Sequence, residues 1–265
     1  MLPPIAQGLY EPSQEHDACG VGFVVDIKGR KSRKIIENAL TILQNLLHRG
    51  ACGSDEHTGD GVGILLQIPH KFFLRKCGEL NIELPESGEY GAGLIFLPRD
   101  PKDSEKCCEI FEQIIAEEEQ VLLGWRELPT NDSIIGETAK AGEPSFKQLF
   151  IGQGISVSDA NVFERKLYVI RKRVEHAIAN SQLAEKDNFY IPSLSNKTIV
   201  YKGMLTGGQL EPMFPDLSEE DMESALALVH QRFSTNTFPS WQLAQPFRYM
   251  CHNGEINSLR GNINW

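Results

Sequence analysis

The sequence predicts an α+β fold built in layers, on three observations. Short apolar runs bounded by Gly, Pro, Asn and Asp recur in an antiparallel-looking order. About three amphipathic helical patterns lie among them. No repeat, low-complexity tract or linker divides the 265 residues. That length suits one large domain or two small ones and can bury a sizeable core. Hydrophobic residues at 41% and charged residues at 23% fall in the ordinary globular range.

Taken in order, residues 1–18 carry Pro3, Pro4 and Pro12 without periodicity and read as an irregular leader. Cys19 to Asp26 is a β-rich run, and Lys28-Gly29-Arg30 is a turn. Ser32 is the candidate N-cap of a helix whose core face takes Ile35, Ile36, Ala39, Leu40, Leu43, Leu46 and Leu47. His48-Arg49-Gly50 ends it. Residues 51–61 form a Gly- and Asp-rich loop. Val62 to Ile68 is a buried strand, and Pro69 opens a helix reaching about Leu80. Tyr90 to Leu97 is a strand. Lys102 to Gln120 is a helix with Ile110, Phe111, Ile114 and Ile115 inward. Val121 to Leu128 and Phe146 to Ile151 are strands flanking a polar connection. Leu167 to Ala179 fits a strand leading into a helix, and periodicity does not settle where one would end. Phe189 to Leu194 and Thr198 to Tyr201 look like a strand pair joined at Ser-Asn. Leu210 to Asp221 is a connection broken by Pro. Ala225 to Phe233 and Phe247 to Cys251 lean towards β structure.

A formal net charge of -10 argues against nucleic acid or an anionic membrane as the main partner. No apolar run approaches the roughly 20 residues that span a bilayer. The N-terminus has neither a secretory signal nor a transit-peptide pattern. The cysteines at 19, 52, 77, 107, 108 and 251 form no CxxC pair, which points to a reducing compartment.

Four segments carry candidate chemistry. Cys19 heads an apolar strand after a leader that contributes little to any core. Freed at its N-terminus, it would hold a nucleophilic thiol beside an α-amine titrating near ~7.7–8.0, which can act as base. A buried structural cysteine is the competing reading. In His48 to Gly61, Arg49 follows a helix and could pair with a carboxylate, while a surface loop capping that helix is the plainer alternative. His48, Asp55, His57 and Asp60 lack a compact metal-ligand spacing, so no metal is expected. In His230 to Trp241, Arg232 supplies a planar fork of donors suited to a carboxylate, and Ser234, Thr235 and Asn236 could fix an amino-acid head group. The alternative is a strand end with a capped turn. In Cys251 to Glu255, the Asn253 amide and the Gly254 N–H could converge on one oxygen as an oxyanion hole, although Asn-Gly is also a common turn. Cys251 and His252 are adjacent, so on a strand they would point to opposite faces and make a poor nucleophile–base pair.

Together these segments resemble the N-terminal glutaminase domain of the large subunit of glutamate synthase, a class II (Ntn-type) glutamine amidotransferase. The motifs are HDACGVGF, LLHRGACGSDEHTGDGVGIL, FERKLYVIRKR, IPSLSNKTIVYKGML, HQRFSTNTFPSW and MCHNGEINSLRGNINW, which span about 16 to 265. The KTIVYKGML stretch and the long interval from Cys19 to Arg232 look like glutamate synthase, and unlike the phosphoribosyl, glucosamine or asparagine enzymes.

The resemblance implies a four-layer αββα sandwich of the N-terminal nucleophile hydrolase type. It implies that residues 1–18 are a propeptide removed to free Cys19, and that 19–265 is the glutaminase domain without its C-terminal part. Carried over by position, Cys19 is the nucleophile, with Asn253 and Gly254 as the oxyanion hole. Arg232 binds the glutamine α-carboxylate with Thr235 and Asn236 nearby, and Arg49 orders the pocket. No metal or cofactor is implied within this segment. FMN and an iron–sulfur cluster are implied for the full-length enzyme. Its implied partners are glutamine, the synthase domain of the same polypeptide, and a small subunit or ferredoxin as electron donor, with neither nucleic acid nor membrane. The expected location is the cytoplasm, or the plastid in a photosynthetic eukaryote. Two alternatives are an Ntn-type amidase acting on another amide and a non-catalytic fragment that serves as a binding piece.

Overall fold

A computed structural model describes residues 8, 20–53, 55–232 and 237–253. Cys19, Thr235, Asn236, Gly254 and nearly all of the leader lie outside the described residues.

Eight strands form two antiparallel sheets. The first has the order β1 (Val21–Val25), β8 (Leu226–Gln231), β2 (Val62–Gln67), β7 (Thr198–Gly203). The second has the order β4 (Val121–Glu127), β5 (Ser145–Gly152), β3 (Tyr90–Leu97), β6 (Tyr190–Ser195). Helix α1 (Arg33–Asn45) packs against β1 and β8. Helix α2 (His70–Gly78) follows β2, and α3 (Pro101–Glu117) follows β3. A short α4 (Glu137–Ala141) lies in the connection to β5, α5 (Ala160–Ala179) runs between β5 and β6, and a one-turn α6 (Leu210–Met213) precedes β8. Two β-sheets with helices packed on them match the expected α+β architecture of the N-terminal nucleophile type.

Local chemistry explains the longer helices. Asp100 caps α3 by accepting from the Lys102 and Asp103 N–H groups, both at 3.0 Å, with Pro101 in the first turn. Asp159 caps α5 through Asn161 and Val162 at 2.8 and 3.0 Å. That cap settles the ambiguous 167–179 segment. The chain is already helical from Ala160, so Leu167 to Ala179 is the continuation of one 20-residue helix and contains no strand. Ser32 occupies the N-cap position of α1 without a side-chain capping bond and forms a bridge to Ser224.

The core has two parts. Along β3, Tyr90, Ala92, Leu94 and Phe96 enter a cluster shared with α1, α2 and the first sheet, while Ile95 and Leu97 enter one shared with α3 and α5. Both faces of β3 are covered, which is why it reads as an unbroken apolar run. A buried polar network also ties the sheets together. Arg126 of β4 makes a bidentate pair with Asp216 at 2.7 and 2.8 Å and donates to Gln148 of β5 at 2.6 Å. Tyr201 of β7 donates to the same Asp216 at 3.2 Å and accepts from Gln148 at 2.8 Å.

Five expectations change, the first being that the Pro-broken connection at 210–221 contains the one-turn α6. Helix α1 stops at Asn45, so Leu46 and Leu47 fall outside it, and Leu47 is 45% exposed instead of in the core. The strands β6 and β7 are not a hydrogen-bonded pair: they are consecutive but belong to different sheets, and the short connection between them carries the chain from one sheet to the other. The polar connection at 129–145 contains α4. Phe247 to Cys251 is a turn closed by a Phe247–Met250 bridge, not a strand.

Candidate active site

One face of the first sheet forms a platform. The register places His230 of β8, Gly63 of β2 and Lys202 of β7 in one row across three strands. Period-two alternation points all three positions to the same side. Gly63 has no side chain, and the backbone of 244–246 uses that gap. A Cβ built on Gly63 would meet the Gln245 carbonyl oxygen at 2.6 Å. The row is therefore a saddle, with a side chain on each flank and a strip of backbone across the middle.

The flanks hold that strip in place. Lys202 is fully buried, and its Nζ donates to the carbonyls of Gln242 and Ala244 at 2.8 and 2.7 Å. It lies 4.7 Å over both the Tyr190 and Phe247 rings. Burial pushes its pKa well below the ordinary value. Next along the chain, the Gln245 side chain grips the backbone of His252 in both directions. It donates to the His252 carbonyl at 2.9 Å and accepts the His252 N–H at 2.9 Å. A single side-chain amide thus reproduces a pair of ladder hydrogen bonds where no strand exists.

On the other flank, His230 Nε2 lies 2.9 Å from the His252 carbonyl and 3.1 Å from Oδ1 of Asn253. The same Oδ1 accepts the N–H of Gly20 at 3.3 Å. Burial is the largest influence on His230 and pushes its pKa below the ordinary value, against the pull of its two oxygen partners.

Gly20 also joins two other segments. Its carbonyl accepts the Gln231 N–H at 2.7 Å. A Cβ on Gly20 would sit 2.2 Å from the Gln231 carbonyl oxygen, so only glycine fits there. Cys19, one peptide bond away, is covalently tied to this junction. Arg232 follows Gln231 directly, and its N–H donates to the Gly61 carbonyl at 2.9 Å. Its guanidinium donates to Thr237 Oγ1 at 2.7 Å. Burial works against the Arg232 charge, and the nearby Asp60 carboxylate supports it. Gly61, at φ +135, makes the turn that brings Asp60 and Arg232 together.

Arg49 is partly buried at the end of the 3-10 turn after α1. The next residue, Gly50, lies against the Gln231 side chain, where a Cβ would meet Nε2 at 2.0 Å. The surface-loop alternative for 48–61 therefore holds only in part. Asp55 closes a local turn through His57 and Thr58, but Thr58 and Asp60 are buried. Gly20, Arg232 and Asn253, spread over more than 230 residues of sequence, come together at the end of β8, and Gly50, the neighbour of Arg49, lies against Gln231 there. Sequence reasoning attached no role to His230, Gln245 or Lys202, and read Asp60 only as a turn residue and a rejected metal ligand. The one available signal was the alternation that sets His230 two residues before Arg232.

Among the described residues no group of three or more His, Cys, Asp or Glu could hold a metal. Cys77 and Cys107 lie in separate apolar clusters, and burial pushes both thiols up to about 12.

Residues 19–265 match the family model described as class-II glutamine amidotransferases. The glutamate synthase [NADPH] large chain of Bacillus subtilis (strain 168) is 49% identical over 262 residues, 99% of this chain and 17% of that protein. The glutamate synthase [NADH] of Saccharomyces cerevisiae is 44% identical, over 99% of this chain and 12% of that protein. The chloroplastic ferredoxin-dependent glutamate synthase 2 of Arabidopsis thaliana is 40% identical, over 100% of this chain and 16% of that protein. The chain thus spans less than a fifth of the length of these relatives.

Proposed function

The chain belongs to the class-II glutamine amidotransferases, and from that premise we propose that it is the glutaminase half of a glutamate synthase. One observation carries the reading. The residue after Cys19 donates its N–H to the Asn253 amide at 3.3 Å and accepts from the residue before Arg232 at 2.7 Å. Nucleophile, oxyanion donor and carboxylate-binding residue are thereby joined at one glycine.

On this reading residues 1–18 are removed, which is supported by a family match that begins at residue 19. The freed α-amine takes the thiol proton, and Cys19 Sγ attacks the side-chain amide carbon of glutamine. The carbonyl oxygen gains the negative charge, and the Asn253 NH2 and the Gly254 N–H stabilise it. Each such donor contributes roughly 3–4 kcal/mol to the barrier reduction. The C–N bond breaks as the amine returns the proton, which releases ammonia and leaves a γ-glutamyl thioester. Water activated by the same amine then releases glutamate and restores the thiol. Arg232 pairs with the substrate α-carboxylate, Thr235 and Asn236 complete that subsite, and Arg49 orders the wall behind Gln231.

The ammonia passes to a synthase domain of the same polypeptide and is added to 2-oxoglutarate, with a small subunit or ferredoxin supplying electrons. The iron–sulfur cluster and FMN are assigned to segments outside these residues. No described helix is long and apolar enough to cross a membrane. We place the protein in the cytoplasm, or in the plastid of a photosynthetic source.

The test is Cys19→Ala in the complete protein, with N-terminal sequencing of the wild type. Loss of glutamine hydrolysis, together with a mature chain starting at Cys19, is expected. Retained glutamine-dependent activity would sink the proposal. Hydrolysis of another amide with none of glutamine would identify a different amidase.

A further inference from the structure

We propose that His230 is the positioning residue that sets the rotamer of the Asn253 amide and so aims its NH2 group at the substrate oxygen. The inference rests on the glutaminase reading and adds a residue to it. The hydrogen-bond pattern decides the orientation twice over. First, the His252 carbonyl can only accept, so the His230 Nε2 beside it at 2.9 Å carries the proton. The Asn253 atom 3.1 Å from that N–H must then be an acceptor, Oδ1. Second, the Gly20 N–H can only donate, and it meets the same atom at 3.3 Å. A primary amide is planar, so fixing Oδ1 between two donors also fixes the direction of Nδ2. Rotation by 180° would face two N–H donors with an NH2.

The ring itself is held firmly. His230 is 3% exposed and lies within β8, paired to Val21 on one side and Gly63 on the other. Its Nδ1 is buried without a hydrogen-bond partner among the described residues. The single proton of a neutral ring therefore sits on Nε2, the tautomer the amide requires. The other described donor to Oδ1, the Gly20 N–H, belongs to the residue adjoining the nucleophile. His230 supplies a second anchor from the rigid centre of the sheet.

The experiment uses the complete protein with Cys19→Ala, His230→Gln and His230→Glu. Gln and Glu share a shape, but Gln keeps a donor at the Nε2 position and Glu replaces it with an acceptor. Turnover is normalised to the thiols titrated at Cys19, so that only folded sites count. The probe is glutamate γ-semialdehyde, an aldehyde that adds to a thiol to give a tetrahedral oxyanion-like adduct. His230→Glu is expected to lower kcat roughly 100-fold, as for loss of one oxyanion donor, with KM within about twofold. Affinity for the aldehyde should fall in parallel, and His230→Gln should recover most of both. A purely structural role would lower the fraction of titratable sites in His230→Glu and leave kcat per titrated site equal to that of His230→Gln. If the two variants have equal kcat per titrated site while Cys19→Ala abolishes turnover, the inference is overturned and the glutaminase reading stands. A fall confined to KM would also overturn it. A wild type that does not hydrolyse glutamine would remove both.

Discussion

Replacing Lys202 with methionine would remove the anchor under the strip that carries Gln245. The stem keeps its length and apolar surface, and only the donors and the ring contacts of the head group are lost. The carbonyls of Gln242 and Ala244, at 2.8 and 2.7 Å from Nζ, lose their donor. The buried Ala244 carbonyl left unpaired costs about 1–3 kcal/mol, and the part-buried Gln242 carbonyl costs less because water can replace the donor. The two ring contacts at 4.7 Å add further loss, on the order of 0.5–2 kcal/mol each when desolvated. Relief from burying an amine offsets part of this, by an amount on the order of a few kcal/mol. The ring contacts and the relief from burying the amine are of similar size and opposite sign, so the expected net destabilisation of the segment is about 1–3 kcal/mol, equivalent to amide exchange roughly 5- to 150-fold faster by local opening. Hydrogen exchange by mass spectrometry on the complete protein would measure this in peptides from 241–253, with α3 as an internal control. Glutamine turnover should fall as well, because Gln245 sets the backbone position of His252 and hence of Asn253. Unchanged exchange in 241–253, with or without altered turnover, would refute the claim that Lys202 holds the strip down.

Two further outcomes follow from the same platform. Gly63→Ala places a methyl carbon 2.6 Å from the Gln245 carbonyl oxygen and equally close to Lys202 Cβ. The strip must lift, so glutamine hydrolysis should fall at least tenfold while the exchange of α3 and α5 stays unchanged. Activity equal to wild type would show that the backbone does not lie across Gly63 in the working enzyme. The second concerns pH. The folded-state pKa of His230 is lowered by burial, whereas the unfolded chain titrates near ~6.5. Between the lowered folded value and ~6.5 the unfolded state binds more protons, so stability rises with pH and is lost on acidification through that window. In wild type, exchange of β8 amides, corrected for intrinsic rate, should therefore speed up below pH 6.5 more than in His230→Gln. Equal acid dependence in the two proteins would count against a buried neutral ring.

Much of this fold could be read locally. Tyr90–Leu97 matches its strand end to end, because both faces of β3 are buried and the apolar run has no polar interruption. Helix α3 announces itself through Asp100-Pro101 and an apolar stripe. Failures came where a local pattern is ambiguous or a distant partner decides. The 167–179 segment looks like either element until the Asp159 cap, outside that window, is included. The β6 and β7 pair looks like a hairpin because the connection is short, yet each strand finds its hydrogen bonds in a different sheet.

The site divides in the same way. Cys19, Arg232 and the Asn253-Gly254 pair stand out as residue types that carry a reaction, and their motifs place the chain in its family without any coordinates. Residue type alone marks none of His230, Gln245, Lys202 or Gly63 as belonging to that machinery, although the first, third and fourth lie within the quoted motifs. Their relation exists only because antiparallel register sets three strands side by side and brings residues 63, 202 and 230 into one row. Sequence by itself determined which chemical groups are present and the α+β class, because both follow from side-chain identity and periodicity. Tertiary structure alone decided which groups hold the others in place, because a hydrogen bond between residues 20 and 253 depends on register, and register is a property of the whole sheet.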